Sequence, residues 1–333
     1  MFEPLDEACA PTPLVRFPLP EAWGISLYFK NEAVLPSGSL KHRLARSLLR
    51  YGINNGSITS STILVDASSG STAVSEAWFA RELGLRFVAV VPRSVSVEKV
   101  RLIESLGGTV DYTPDATTVC ARAAYLGAQD GWHFLDQFGL ASTVTDFRSG
   151  NVAEELFAQL DTDPAAIVVG AGTGGTSATI GRYIAHTGRS TRLTVVDPEG
   201  SAYFDAYSSG CMDVTATGSR IEGIGRPRVE GSFLPSTIDD VLRIDDATSV
   251  AAMHLLASTT GLNAGPSTGT NLAGALHVVQ RMARAGESGT VVTLACDAGE
   301  RYTSTFYNDD WVRQQGWDVA GAGRRIHAVL ELV

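Results

Sequence analysis

The chain has 333 residues, 44% of them hydrophobic and 19% charged, with 34 glycines spread along its length; this is the profile of a globular enzyme with room for two domains, not of a disordered or fibrous chain. A formal net charge of −10 without any basic stripe excludes the clustered cations that nucleic acid or an anionic membrane surface requires. No apolar run reaches the roughly 18 residues of a membrane span.

The opening MFEPLDEACAPTPL lacks the charged and apolar regions of a signal peptide, so the expected location is cytoplasmic. Residues 26–31 (SLYFKN) read as a strand, followed by a loop and a helix over 41–51. The pattern repeats: a strand at 62–67 (TILVDA) before a helix over 72–83, and a strand at 86–91 (RFVAVV) before a helix over 96–106. After DFRSG at 146–150, a soft boundary, a new helix spans 151–160. A strand at 165–170 (AAIVVG) then leads through a glycine loop into a helix over 176–186; further strands end at 197 and cover 291–295. Most of 203–235 is rich in Gly, Ser and Pro and reads as a long, functional loop. Strands apolar on both faces that alternate with helices indicate buried parallel sheet. Cys9, Cys120, Cys211 and Cys296 share no metal-ligand or CxxC spacing and read as ordinary thiols, so no metal is expected.

Two segments carry chemistry. The run Gly170-Ala-Gly172-Thr-Gly174-Gly175 follows a strand and opens a helix, where glycines let backbone N–H groups close on an anion. With Asp197 at the end of the next strand it matches a dinucleotide-binding signature, but any phosphate-binding strand-turn-helix looks the same. It lacks the lysine of a triphosphate-binding loop. The second segment, Pro36-Ser-Gly-Ser-Leu-Lys41-His-Arg43, places a lysine after a small-residue turn at a helix start, beyond the carboxyl end of a strand, where open α/β sheets bind ligands.

The second segment resembles P-[ST]-G-S-x-K-x-R of the cysteine synthase and cystathionine β-synthase family, fold-type II pyridoxal-phosphate enzymes. Further motifs resemble the family's in the same order: Ser68-Ser-Gly70-Ser-Thr72, Asp136-Gln137-Phe138, Gly172-Thr-Gly-Gly-Thr176, Glu222-Gly-Ile-Gly225, Gly265-Pro-Ser267-Thr-Gly269 and Asp297-Ala-Gly-Glu-Arg-Tyr302. Six motifs in order outweigh one glycine signature. Segments 37–48, 67–77 and 219–227 are also similar to the mycobacterial type of L-cysteine desulfhydrase within that family.

The resemblance implies a fold like the tryptophan synthase β chain: two three-layer α/β/α domains with pyridoxal 5'-phosphate between them. Residues 1–44 and 150–333 would form the larger, coenzyme-binding domain and 45–149 a smaller, mobile substrate-binding one. It implies that Lys41 holds the coenzyme as a Schiff base and removes the Cα proton, with the coenzyme as electron sink. Gly172, Thr173, Gly174, Gly175 and Thr176 would bind the phosphate, and Ser267 the pyridine nitrogen. Ser71 stands where the family usually has an asparagine beside the ring hydroxyl. Ser68, Ser69, Gly70, Thr72 and Gln137 would grip the substrate carboxylate, and Gly223 would touch substrate through its backbone. Asp297, Glu300 and Tyr302 read as structural support, whereas Arg220 reads equally as substrate contact or loop anchor. The implied reaction is β-elimination on L-cysteine to sulfide, pyruvate and ammonia through aminoacrylate. The alternative is β-replacement on O-acetylserine, O-phosphoserine or cysteine. Family members are commonly homodimers.

Overall fold

A computed structural model describes residue 5 and residues 11–331; Cys9 lies outside them. The chain divides into two compact units. One holds residues 35–145 with Leu5 and Pro11; the other holds 12–34 and 146–331. The helix bearing Lys41 therefore falls whole in the smaller unit, whose boundary at 34/35 lies about ten residues before the 44/45 boundary drawn from sequence. Its apolar stripe is the reason: Ala45, Leu48 and Leu49 are buried in one cluster with Leu64, Phe79 and Phe87 of that unit.

In the smaller unit four parallel strands, β3 (Ile63–Ala67), β4 (Arg86–Pro92), β5 (Thr109–Thr113) and β6 (Trp132–Phe134), lie in the order β5-β4-β3-β6. On the two faces of this sheet Leu64, Val65, Phe87, Ala89 and Val91 are fully buried, with 0–2% exposure. Each of the larger side chains, Leu64, Val65, Phe87 and Val91, contributes about 1.5–3 kcal/mol of transfer free energy. Five helices connect or flank the strands: α1 (Lys41–Asn54), α2 (Ser71–Glu82), α3 (Val97–Ser105), α4 (Val119–Gly127) and α5 (Gln137–Val144). Helix α2 is buried over almost its whole circumference, so hydrophobic periodicity does not mark which side faces the sheet.

In the larger unit β1 (Leu14–Phe17) pairs antiparallel with β2 (Ile25–Asn31), and the remaining strands are parallel. These are β7 (Ala166–Gly170), β8 (Arg192–Pro198), β9 (Asp240–Ile244) and β10 (Gly289–Ala295), in the order β1-β2-β10-β7-β8-β9. The order turns about β7: the chain runs outward from it to β8 and β9, then returns to lay β10 on its other side. Ligands of open α/β sheets bind beyond the carboxyl ends of strands at such a reversal, and the glycine loop follows β7 there.

Helices α6 (Val152–Ala158) and α7 (Gly175–Thr187) flank β7, α9 (Asp246–Thr260) follows β9, and α10 (Pro266–Arg284) runs buried beneath β7 and β8. Gly274 of α10 lets it close on the sheet, because an added Cβ there would run into Val196 of β8. Residues 203–235, read as loop, contain the helix α8 (Tyr203–Ser209), and only the remainder is irregular. Two short helices, α11 (Asp309–Gln314) and α12 (Val319–Glu331), end the described chain. Among the described residues no helix is long and apolar enough to cross a membrane.

Candidate functional site

The candidate residues fall into one group in each unit. In the smaller unit β3 delivers residues 68–70 into the first turn of α2. Ser68 Oγ accepts from the N–H groups of Gly70 (3.4 Å) and Ala73 (3.3 Å), so it satisfies amides that the helix start leaves without helical acceptors. The α2 N-cap itself, Gly70, has no side chain, and a Cβ built there would meet nothing within 4 Å. Thr72 is buried, and its hydroxyl donates to Gln137 Oε1 at 2.7 Å, while Gln137 Nε2 donates to the Ala67 carbonyl at 3.2 Å. Gln137 thus ties the start of α2 to the end of β3. Asp136 aims it, as the one non-glycine residue with a left-handed backbone among those described (φ 51°), its carboxylate accepting from Gly139 N–H at 3.1 Å. Such a conformation costs roughly 1–2 kcal/mol and persists where its surroundings hold it.

Lys41 is the first residue of α1 and half-buried. The loop before it turns through Gly38 (φ 71°), and Ser37 Oγ is 2.8 Å from Ser75 Oγ and 3.0 Å from His42 Nδ1. Ser75 in turn donates to the Ser71 carbonyl at 2.8 Å. His42 is buried against Phe79, with ring centroids 4.4 Å apart. This chain locks the lysine's loop and helix onto α2, and sequence reasoning missed it because Ser37, His42 and Ser75 look like common helix and turn residues. Of the three lysines in the protein, Lys30 is fully buried with its ammonium on Glu155 (3.1 Å), Gln159 (2.7 Å) and the Thr12 carbonyl (2.7 Å). Lys99 lies on α3 among exposed Val97, Glu98 and Arg101.

In the larger unit, β7 ends in the glycine loop and α7 begins. Gly174 caps α7 with φ +88°, a left-handed conformation suited to glycine, and a Cβ on it would lie 2.5 Å from Phe233 N. A Cβ on Gly172 would lie 2.5 Å from the Gly223 carbonyl oxygen. Gly223 has φ +91°, and its own Cβ position is 3.6 Å from Ser267 Oγ. The structure therefore brings Gly172, Gly223 and Ser267 together. Gly225 N–H donates to the Ala171 carbonyl at 2.7 Å, fastening the two loops. Thr173 is buried, its Oγ1 accepting from Gly175 N–H at 3.3 Å, and Thr176 is half-buried in the first turn of α7. Ser267 is 2% exposed, and among the described residues its hydroxyl has no hydrogen-bond partner.

Supporting residues surround this group. The Tyr203 hydroxyl donates to the Gly172 carbonyl at 2.5 Å while its ring stacks on Phe233 at 4.3 Å. Tyr203 lies in the stretch read as loop, and no sequence signal ties it to Gly172. The Tyr302 hydroxyl donates to Asp297 Oδ2 at 2.6 Å, and the Asp297 carbonyl takes Gly265 N–H at 3.1 Å, bracing the approach to Ser267. Glu300 is exposed. Arg220 is a loop anchor: it pairs with Asp246 at 2.7 Å and lies 4.8 Å over Trp317. Asp197 is committed to its own unit, Oδ2 accepting from Phe204 N–H at 2.8 Å. Burial raises its pKa from 3.8 to about 6. It therefore holds the start of α8 and is not placed as a ribose acceptor.

The glycine cradle suits a phosphate monoester, since backbone at residues 172 and 174 leaves no space for a side chain and the positive end of α7 follows directly. The family model described as "Pyridoxal-phosphate dependent enzyme" matches residues 5–297. The chain belongs to that family. Members named as relatives include the L-cysteine desulfhydrase Cds1 of Mycobacterium tuberculosis, 51% identical over 94% of this chain and 88% of that protein. A cysteine synthase of Dictyostelium discoideum is 30% identical over 94% of this chain and 86% of that protein. Among solved structures, O-ureido-L-serine synthase superposes with a TM-score of 0.81 at 28% identity, covering 94% of this chain and 99% of that one. The fold is accordingly that of the fold-type II pyridoxal-phosphate enzymes, and pyridoxal 5'-phosphate is the cofactor.

Proposed function

We propose that the protein eliminates sulfide from L-cysteine, converting cysteine and water to pyruvate, ammonia and hydrogen sulfide. The observation that carries this reading is the 51% identity, over 94% of the chain, to a protein named L-cysteine desulfhydrase. When bound, the coenzyme supplies the electron sink that lets the Cα proton and then the β-sulfur leave. Lys41 Nζ holds the coenzyme and takes the Cα proton. Lys30 is engaged by a carboxylate, an amide and a carbonyl, and Lys99 is on an outer helix, which supports Lys41 for that duty. Gly172, Thr173, Gly174, Gly175 and Thr176 hold the phosphate by backbone N–H groups and hydroxyls at the start of α7. Ser267 offers the ring nitrogen a neutral hydroxyl, which withholds the charge an aspartate would provide and favours loss of a β-group over racemisation.

Ser69, Gly70 and Thr72 present the first turn of α2 to the substrate carboxylate, with Ser68 keeping the turn in shape, and Ser71 serves the ring hydroxyl of the coenzyme. Gln137 braces it and retains one amide hydrogen for the substrate. Gly223 contacts substrate through its backbone. Domain movement of the smaller unit, a homodimer and a cytoplasmic location belong to the same reading. A second reading, β-replacement with a bound nucleophile in place of water, is favoured by the likeness to O-ureido-L-serine synthase and cysteine synthase.

The test is release of pyruvate and sulfide from L-cysteine alone by the coenzyme-loaded protein, with a Lys41→Ala control. Equal release of both products, absent in the control, is expected. Little pyruvate until a thiol or sulfide acceptor is added would replace the desulfhydrase with a synthase.

A further inference from the structure

Beneath the loop 68–72 lie two carboxyl groups that the reaction does not use. Asp66 ends β3 and Glu76 lies one helical turn after Thr72 on the same face of α2, and both are 0% exposed. Asp66 Oδ2 and both carboxyl oxygens of Glu76 are buried without a hydrogen-bond partner, and the charge of Asp66 acts on Glu76. Asp66 Oδ1 accepts from Ala67 N–H at 2.8 Å. Gln137 bonds both Thr72 and the Ala67 carbonyl, so it joins the two elements that carry the pair: Ala67 follows Asp66 in β3, and Thr72 precedes Glu76 by one turn of α2. The pair thus lies at the roots of the two elements that the turn 68–72 connects. Two ionised carboxylates there would repel each other and the incoming anion, whereas two carboxyls sharing a proton form one strong hydrogen bond.

We infer that Glu76 is a positioning residue of the substrate loop: in its protonated form it donates to Asp66 and fixes the turn 68–72 without adding a second negative charge under it. This rests on reading 68–72 as the carboxylate-binding turn. Burial, followed by the charge of Asp66, drives the Glu76 carboxyl toward its protonated form. Burial likewise raises Asp66 from 3.8 to about 6. Asp136, before α5, is a further negative charge acting on Asp66. The elements packed around the pair also carry Lys41 and His42 on α1, Arg86 on β4, Glu104 on α3, Arg122 on α4 and His133 on β6. All of these are retained in a Glu76→Gln variant, so a difference from wild type isolates the one carboxyl.

The probe is L-alanine, which carries the carboxylate without a leaving group, titrated into coenzyme-loaded protein and followed by coenzyme absorbance. At pH 7, Glu76→Gln keeps a donor and binds within about twofold of wild type. Glu76→Leu leaves Asp66 without its partner and weakens binding about tenfold or more, the cost of an unsatisfied buried group. The KM for L-cysteine moves in parallel while kcat changes by less than about threefold, as expected for lost ground-state binding. As the pH is raised, wild type loses affinity relative to Glu76→Gln. Wild-type binding by folded Glu76→Leu, equal weakening by Gln and Leu, or parallel pH profiles of wild type and Glu76→Gln would each overturn the inference. Should the leucine variant not fold, the comparison of the two pH profiles decides alone. If alanine binding follows this pattern while cysteine yields no pyruvate, the desulfhydrase reading falls and the inference stands. If alanine leaves the wild-type coenzyme spectrum unchanged, the loop reading falls and takes the inference with it.

Discussion

Replacing Gly172 by alanine tests whether the glycine loop is a cradle shaped by backbone. The new methyl would stand 2.5 Å from the Gly223 carbonyl oxygen and 3.6 Å from Ile224 Cα. Ordinary contact begins at 3.4 Å, so the two loops must part by about 1 Å or distort. Neither is free to give: Gly172 is held through its carbonyl by Tyr203, and the partner loop by the Gly225–Ala171 hydrogen bond. Overpacking by one methyl costs about 1–3 kcal/mol. Where that strain falls on the coenzyme-bound loop it weakens coenzyme affinity roughly 5- to 150-fold. The assay titrates coenzyme-stripped protein with pyridoxal phosphate, and thermal melting monitored by circular dichroism reports the fold. Gly231→Ala is the control, because its Cβ position has nothing within 4 Å and its backbone is not left-handed. Gly172→Ala binding coenzyme as tightly as Gly231→Ala, with an unchanged melt, would refute the reasoning.

Gly70→Ala adds a methyl to open space and should leave the melting temperature unchanged while raising the KM for L-cysteine; an unchanged KM would show that no substrate approaches there. Thr72→Val removes the donor to Gln137 Oε1 and leaves a buried acceptor unsatisfied, costing about 1–3 kcal/mol. Thr72→Ser should restore most of both stability and KM, and a serine variant as impaired as valine would count against the hydrogen bond. Asp197 has a folded pKa raised from 3.8 to about 6. The folded state therefore binds the extra proton, and this carboxyl's contribution is fully present below pH 3.8 and lost as pH rises through about 6, an effect of about 3 kcal/mol. The melting temperature of wild type should fall relative to Asp197→Asn between pH 4 and 7, and parallel curves would exclude the shift.

Much of the fold was legible locally. The strands at 26–31, 62–67, 86–91, 165–170 and 192–197 and the helices after four of them emerged within one to three residues, because apolar runs and glycine turns are local signals. The short edge strands β1, β5, β6 and β9 were not legible, since three to five residues of mixed polarity carry no period of their own. Helix α8 was hidden in a Gly/Ser-rich stretch, stabilised by Asp197 capping from another element. In the site, Gly172, Gly223 and Ser267 were nameable from motifs, but their mutual contact was not. Glu76 carried a faint signal as a lone acid in the otherwise small and apolar STAVSEAWFA. Its partner Asp66 lies ten residues away across a turn.

By itself the sequence determined which candidate groups the chain offers: a lysine at a helix start, a glycine loop after a strand, and hydroxyls at two helix N-termini. Spacing along the chain suffices for these because each is built within a single turn. Only the tertiary structure decided which of those groups are spent on the protein and which are left for ligand. Ser68 and Gln137 brace their loop, Asp197 and Arg220 anchor helices and loops, and Ser267 keeps its hydroxyl unengaged among the described residues. Hydrogen-bond partners 31 residues apart, as for Tyr203 and Gly172, or 65 apart, as for Thr72 and Gln137, are set by packing of the sheets and helices, and no local pattern encodes them.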